Sequence, residues 1–159
     1  MGMVWAGYRR DPAEAVRLVR DPGLVDDLLE SEDFGTMLDL DKGWHGIHWL
    51  LTGSAEPTEA PLSDAIFGGD AFGEDLGYGP PRLLPPERVR SVAAALEATD
   101  VESLRARMLP AAMAEAGIYP AIWDEDDIFD EYLAPSLEEL RQFYAAAATA
   151  GEAVVQTLC

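Results

Sequence analysis

The spacing of hydrophobic residues predicts a series of helices between two terminal strands. Met1 to Tyr8 alternates loosely around Val4 and Trp5, and residues 153–158 form a β-rich run, so both ends of the chain favour strands. Between them, apolar residues recur every three or four positions, as on the buried side of a helix. Helices are therefore expected over 12–20, 22–30, 42–51, 61–67, 85–96, 99–108, 111–116 and 135–151.

Local signals set several of these boundaries. In Asp11-Pro12-Ala13-Glu14, Asp11 is the expected N-cap, Pro12 the first helical residue, and Glu14 the N3 glutamate whose side chain reaches back to the N-cap N–H. The helix that follows is expected to bury Ala15, Leu18 and Val19. Thr99 to Glu102 reads as a second capping box. Because Pro80 and Pro81 cannot donate ladder hydrogen bonds, residues 77–84 are predicted to be an edge strand or an extended connector.

The segment from Leu38 to Gly53 organises the pattern, since it holds both histidines, the only lysine and two of the four tryptophans. A helix over 42–51 has a buried stripe, and its adjacent, more polar side carries Asp41, His45, Trp49 and Thr52. The stripe comprises Trp44, Ile47, His48 and Leu51. Asp39 or Asp41 is expected to cap the start of this helix, and Gly53 to end it in the left-handed conformation.

The order of elements predicts the fold class. Strand signals at both ends with helices between them indicate a single layered α/β domain over residues 1–159, with α+β as the alternative. Helices are expected to pack on a small sheet in which the N- and C-terminal strands lie side by side. A chain of 159 residues is long enough for one core and short for two.

Charge narrows the classes of partner. A net charge of −19 argues against nucleic acid and anionic membranes, which are bound by clustered Lys and Arg, and favours a basic protein, a cation or simple solubility. The single cysteine, Cys159, allows no internal disulfide, and neither a signal peptide nor a long apolar run is evident. A cytoplasmic protein is expected, either a monomer or a homodimer.

Several motifs together resemble the YfbM-like bacterial domain of unknown function, over nearly the whole chain. They are Met1-Gly2-Met3, Leu38-Asp39-Leu40-Asp41-Lys42-x-Trp44, His48, Leu51-Thr52-Gly53, Pro61-Leu62-Ser63-x-Ala65 and Ile118-Tyr119-Pro120. The resemblance implies a single layered α/β domain and brings no established activity, cofactor or catalytic residue. Only His48 falls on the histidine of that family, which weakens any mechanism that needs His45 as well.

A metal site is the first chemical hypothesis for the histidine segment. Asp41, His45 and His48 lie at i, i+4 and i+7, a spacing that can present three ligands to zinc or another divalent ion. The simpler interpretation is a helix cap, an exposed histidine and a hydrogen-bonded core histidine. Because no third histidine, no nearby cysteine and no Glu-x-x-His motif supports a metal, neither metal nor cofactor is expected.

Acid–base catalysis is the second hypothesis. His48 with Asp39 or Asp41 can handle a proton, and Lys42 can hold an anionic substrate. A lone lysine beside aspartates is, however, more often part of a local ion pair. The chain has no nucleophile elbow, no P-loop and no dinucleotide-binding glycine motif, so a catalyst is not favoured.

The remaining candidates suit binding. Trp49 lies on the polar side of its helix and, if exposed beside Tyr78 or Tyr119, would mark an interface or pocket. Six of the eight residues from Asp124 to Glu131 are acidic, but they lack the spacing of an EF-hand. With a second acidic set they can form a negative face that steers a basic partner, the second set being Asp26, Asp27, Glu30, Glu32 and Asp33.

The leading hypothesis from the sequence is a non-enzymatic acidic interaction domain that binds a basic protein, of which an immunity or antitoxin-like role is one concrete version. The alternative is a small-molecule-binding protein or enzyme. Its cleft would lie near the glycine-rich loop 68–79 and use His48, Asp39, Asp41, Lys42 and Tyr119. The two differ in one observable, because only the alternative needs His48 to open into a pocket beside a carboxylate.

Overall fold

A five-stranded antiparallel sheet lies at the centre of the computed structural model, which describes residues 2–31 and 35–159. Its strands are β1 (Trp5–Arg10), β2 (Met37–Asp41), β3 (Asp70–Ala71), β4 (Arg82–Leu84) and β5 (Ala153–Leu158). They lie in the order β2-β1-β5-β4-β3. The terminal strands pair from Trp5 opposite Leu158 to Arg10 opposite Ala153, so the prediction that they lie side by side is confirmed.

Seven α-helices occur in the described residues, and most begin where the sequence carries a proline or a cap. They are α1 (Pro12–Arg20), α2 (Leu24–Leu29), α3 (Trp44–Thr52), α4 (Asp64–Phe67), α5 (Pro86–Glu97), α6 (Pro110–Glu115) and α7 (Ala134–Ala150). A 3-10 helix spans Val101–Arg107, and a π-helical turn, Phe129–Leu133, leads directly into α7. The Asp11 carboxylate accepts the Ala13 N–H, as expected of an N-cap before Pro12.

The alternation of side chains along the strands separates two cores, one on each face of the sheet. The larger core receives Trp5, Leu40 and Val154 and is closed by α3 to α7. The smaller core receives Tyr8 and Val155 and is closed by apolar residues of α1 and α2, namely Leu18, Val25 and Leu28. Helices on both faces of one sheet make a single layered α/β fold, as the sequence predicts.

The buried side-chain amide of Gln156 joins β5 to α4 and to the residue directly after it. Gln156 is 3% exposed; its Nε2 donates to the carbonyls of Asp64 and Gly68, and its Oε1 accepts the Trp5 indole N–H. Nearby, Arg88 forms a two-pronged ion pair with the Asp64 carboxylate. Because each buried polar atom has a partner, the amide is accommodated in the core and fixes α4 over β5.

The segment before α3 corrects one prediction. Residues 37–41 form the edge strand β2, with a bulge where Trp5 pairs with Asp41 and Ala6 with Asp39. Neither aspartate caps α3, whose N-cap is Gly43 and has no side-chain hydrogen bond. The Asp39 carboxylate accepts the Asp41 N–H instead, over 2.7 Å. The C-terminal prediction is confirmed, because Gly53 ends α3 with a φ of 73°.

Three further predictions need correction. Residues 77–81 form a connector, as one alternative predicts, but 82–84 form β4, which lies between β5 and β3 and is therefore not an edge strand. Pro80 and Pro81 both precede it. Val19 points away from the core and is 41% exposed, since α1 is short and packs through Ala15 and Leu18. The helix expected over 99–108 is a 3-10 helix, in which Asp100 rather than Thr99 accepts the first N–H.

The helices also bear on membrane insertion. Over residues 2–31 and 35–159, no helix combines the length and the apolar character needed to cross a bilayer. Glu32 and Asp33, which belong to the second predicted acidic set, lie outside the described residues.

Candidate functional site

Helix α3 holds both histidines at the boundary between the larger core and the surface. Trp44, Ile47, His48 and Leu51 are buried as one stripe, which confirms the predicted helical face. In the first turn of α3, Gly46 lies against the Trp123 indole; a Cβ atom at this position would be 2.6 Å from the nearest ring carbon. The segment that follows α6 therefore packs closely against α3.

His48 is fully buried and bonded to the backbone rather than to a carboxylate. Its Nε2 lies 2.8 Å from the Glu56 carbonyl oxygen, so this nitrogen carries the proton and donates. Its Nδ1 is buried and has no hydrogen-bond partner in the described part of the chain. Burial lowers the pKa of His48 below the usual 6.5, against the opposing effect of the Glu56 carbonyl. The ring is therefore neutral at physiological pH.

His45 is half-buried, and both of its ring nitrogens are also engaged by the backbone. Its Nδ1 accepts the Tyr119 N–H over 2.9 Å, and its Nε2 therefore donates to the Ala55 carbonyl at the same distance. The ring stacks on Trp44 with centroids 4.8 Å apart. His45 thus joins α3 to two loops, and neither nitrogen is free to take up a ligand or a proton without breaking such a bond.

The other catalytic candidates contact groups other than His48. Asp41 accepts a hydrogen bond from the Tyr132 hydroxyl over 3.2 Å, and burial together with the Asp41 charge raises the pKa of Tyr132 to about 12. Lys42 lies beside the backbone of Gly2, next to the Tyr119 hydroxyl, which accepts the Met3 N–H. None of these groups is hydrogen-bonded to His48. The structure therefore does not bring the proposed proton-handling pair together.

The same separation applies to a metal. Asp41, the third ligand of the hypothesis, is bound to Tyr132 and not to either imidazole. Among residues 2–31 and 35–159, no three His, Cys, Asp or Glu side chains converge in a way that could hold an ion.

The three aromatic binding candidates occupy three different environments. Trp49 is half-buried, and its indole N–H donates to the Arg107 carbonyl, which fixes the 3-10 helix beside α3. Tyr78 is 53% exposed and borders a cavity of about 200 Å³ next to Trp5 and Gln156. Tyr119 borders a larger groove that shares no lining residue with this cavity. Trp49 therefore acts as a structural anchor and does not join the two tyrosines in one interface.

The groove beside Tyr119 was not anticipated from the sequence. It has a volume of about 730 Å³ and is formed by residues of one continuous segment, 110–124. Ala111 and Ala114 of α6 line one wall, and Ile118 and Trp123 are buried beneath it. We call this depression the 110–124 groove. Its only sequence signal is the run of small residues in α6, which leaves space that larger side chains would fill.

One acidic residue lines the groove, and three more follow it in the sequence. Asp124 lines it, and Glu125, Asp126 and Asp127 follow it, all exposed. The acids of α2 belong to the layer on the opposite face of the sheet, since Val25 and Leu28 pack in the smaller core and Trp123 in the larger one. The predicted negative face therefore divides into two acidic regions held by different layers.

Comparison with known proteins gives a family but no activity. The family model described as "Domain of unknown function (DUF1877)" matches residues 1–157. The solved structure of YfbM from Escherichia coli, itself described as a protein of unknown function, is similar with a TM-score of 0.76. The two sequences are 23% identical, and the alignment covers 98% of this chain and 99% of that chain. No curated protein matches.

Proposed function

Because the chain belongs to the DUF1877 family, whose function is unknown, we propose from its own geometry that it is a non-catalytic interaction domain that binds a basic protein. The observation that carries the proposal is the state of the two histidines. His48 is buried and neutral, and the ring nitrogens of His45 are both held by the backbone. A general acid or base must instead reach its substrate directly or through one water.

The distribution of charge supports the same function. Of the Asp and Glu residues that the structure describes, all but Asp64 and Glu152 are exposed. The run from Asp124 to Glu131 places six of these charges in eight positions, and among them Asp130 is paired, with Arg105. A surface of one sign attracts a partner of the other sign and accelerates its association.

The proposal also covers the cellular location of the interaction and the class of partner. We place the interaction in the bacterial cytoplasm, in agreement with the single cysteine and with the YfbM-like pattern, and we expect neither nucleic acid nor membrane as the partner. An immunity or antitoxin-like role fits an acidic domain that covers a basic protein. Such a complex would need no cofactor and no group transfer.

Affinity capture from a native lysate tests the proposal. The wild-type domain is expected to retain a basic protein whose binding weakens several-fold when the salt concentration rises from about 0.05 to about 0.3 M. Reversal of two acids in the run, Asp124→Lys with Asp126→Lys, should reduce that binding. The matched control, Glu87→Lys with Glu139→Lys, makes the same charge change on exposed positions of α5 and α7 and should bind almost normally.

Other outcomes would contradict the proposal. Retention of a metabolite or a metal ion without any protein would favour the small-molecule alternative. A captured protein that is acidic, or whose binding strengthens with salt, would remove the electrostatic basis of the interaction.

A further inference from the structure

We infer that the 110–124 groove is the docking site for a cationic segment of the partner, with an apolar side chain in the groove and Lys or Arg beside it. The inference rests on the proposed function, since it states where and how the basic protein is recognised. Three properties of the groove carry it: its apolar volume, the internal hydrogen bonds of three N–H groups beside it, and the sign of its charge.

The groove offers apolar space without a side chain of its own to fill it. The small side chains of Ala111 and Ala114, with Gly117, leave a depression of about 730 Å³ over the buried Ile118 and Trp123. Leu109, directly before α6, is 54% exposed. A partner side chain that removes this surface from water gains free energy in proportion to the apolar area it covers. A leucine or an aromatic residue is therefore the expected anchor.

Three N–H groups beside the groove are already bonded within the domain. The Trp123 indole N–H donates to the Ile118 carbonyl over 3.0 Å, and the Tyr119 N–H donates to His45. The Ile118 N–H donates to the Met113 carbonyl. Sites for small polar metabolites need a few convergent donors or acceptors that fix the ligand's orientation. This groove instead recognises shape and charge, which suits a side chain presented by a protein.

Charge selects the class of occupant. Asp124 lines the groove, Asp126 and Asp127 lie next to it in sequence and are exposed, and no Lys or Arg is among its lining residues. An anionic segment would be repelled. A second copy of this chain, with a net charge of −19, would bring further acids against the same rim. A cationic segment is the complementary partner.

A random peptide library provides the probe. Peptides of about 12 residues, selected against the intact domain, are expected to share an apolar residue flanked by Lys or Arg. Ala114→Trp should fill the groove and weaken the selected peptides at least ten-fold, whereas Ala94→Trp, at another exposed alanine on α5, should leave the affinity unchanged. Asp124→Lys, which adds no bulk, should weaken them about three- to ten-fold, because a favourable charge becomes a repulsive one. Circular dichroism and thermal unfolding of each variant separate lost binding from lost folding.

Several results would overturn the inference. One is the selection of no peptides, or of acidic ones. Another is equal binding by Ala114→Trp and Ala94→Trp. Tight binding of a neutral aromatic probe such as Nile red, without any preference for basic peptides, would make the groove a small-molecule site. A homodimer that Ala114→Trp dissociates in sedimentation experiments would make it a contact between two copies.

Failure of the groove as the docking site and failure of the proposed function give different results in these experiments. If a basic protein is captured but binds Ala114→Trp and Asp124→Lys as well as it binds the wild type, the function stands and the groove is not its site. If basic peptides bind the groove but no basic protein is captured, the groove is a cationic docking site and the proposed function fails.

Discussion

At the scale of single residues, the two histidines of α3 are fixed by backbone carbonyls and an amide. In His48 the donor Nε2 has the Glu56 carbonyl as its acceptor, and a proton added to Nδ1 would have no acceptor in the described residues. Charging the ring would therefore leave a buried, unpaired N–H and a desolvated positive charge, both of which disfavour the folded state.

This arrangement predicts a pH dependence of stability. The pKa of His48 is lowered on folding, so the unfolded chain binds more protons below about pH 6.5 and the stability that the neutral ring contributes is lost as the pH falls further. Urea unfolding at about pH 7.5 and about pH 5.5 should show this loss in the wild type. In His48→Gln, which keeps a side-chain donor but does not titrate, the loss should be smaller.

The comparison between the wild type and His48→Gln is essential. Acidification also relieves repulsion among the surface carboxylates, and it does so equally in both proteins. If wild type and His48→Gln lost the same free energy of unfolding over this interval, the inferred neutral state of His48 would be wrong.

At the scale of elements, the contact between α3 and the segment after α6 depends on a missing side chain. Gly46 lies in the first turn of α3, and within a helix glycine costs up to about 1 kcal/mol relative to alanine. Here it allows the Trp123 ring to approach the backbone, and an added Cβ would meet three ring carbons at 2.6 to 3.0 Å. The close approach therefore outweighs the helix preference.

We predict that Gly46→Ala destabilises the domain by about 1–3 kcal/mol, since overpacking exceeds the gain in helix propensity. The added Trp123→Phe change should restore part of that loss in a double-mutant cycle, because it removes the ring atoms that clash. Urea unfolding supplies the free energies. A Gly46→Ala protein as stable as the wild type, or more stable, would contradict the tight contact.

The elements also show how far sequence reasoning extends. Its successes are α7 and the buried face of α3, which follow from helical periodicity, and the two terminal strands, which follow from β-forming residues, although β1 spans Trp5–Arg10 rather than 1–8. It missed β2, because Leu38 to Asp41 is short, its acids resemble helix caps, and its strand state depends on pairing with the distant β1. The position of β4 depends on pairing with β5 that is still more distant in sequence, as in Leu83 opposite Val155.

The candidate site was predicted less well than the fold, for a related reason. Composition suggested a functional histidine, but whether His48 faces a pocket or a carbonyl depends on where the loop at Glu56 packs. The residues of the 110–124 groove are close in sequence, yet its floor includes Trp123, whose position depends on close packing against Gly46 of α3. Neither property is contained in helical periodicity.

At the scale of the whole molecule, the net charge of −19 opposes folding but favours binding to a basic partner. Repulsion among exposed acids destabilises the compact state, whereas the same acids attract a basic partner. Salt screens both effects over a Debye length of about 10 Å at 0.1 M. Added salt should therefore stabilise the domain alone and weaken its complexes.

We expect an increase in NaCl from about 0.02 to about 0.3 M to raise the stability of the isolated domain by about 1 kcal/mol, or roughly 2–4 °C in Tm. Neutralisation of Asp124, Glu125, Asp126 and Asp127 as Asn or Gln should reduce this rise, because the most concentrated group of repelling charges is gone. The same variant should lose affinity for basic peptides. A Tm that falls with salt would show that favourable ion pairs such as Arg105 with Asp130 outweigh the repulsion, and the acidic surface would then be a stabilising feature rather than one kept for binding.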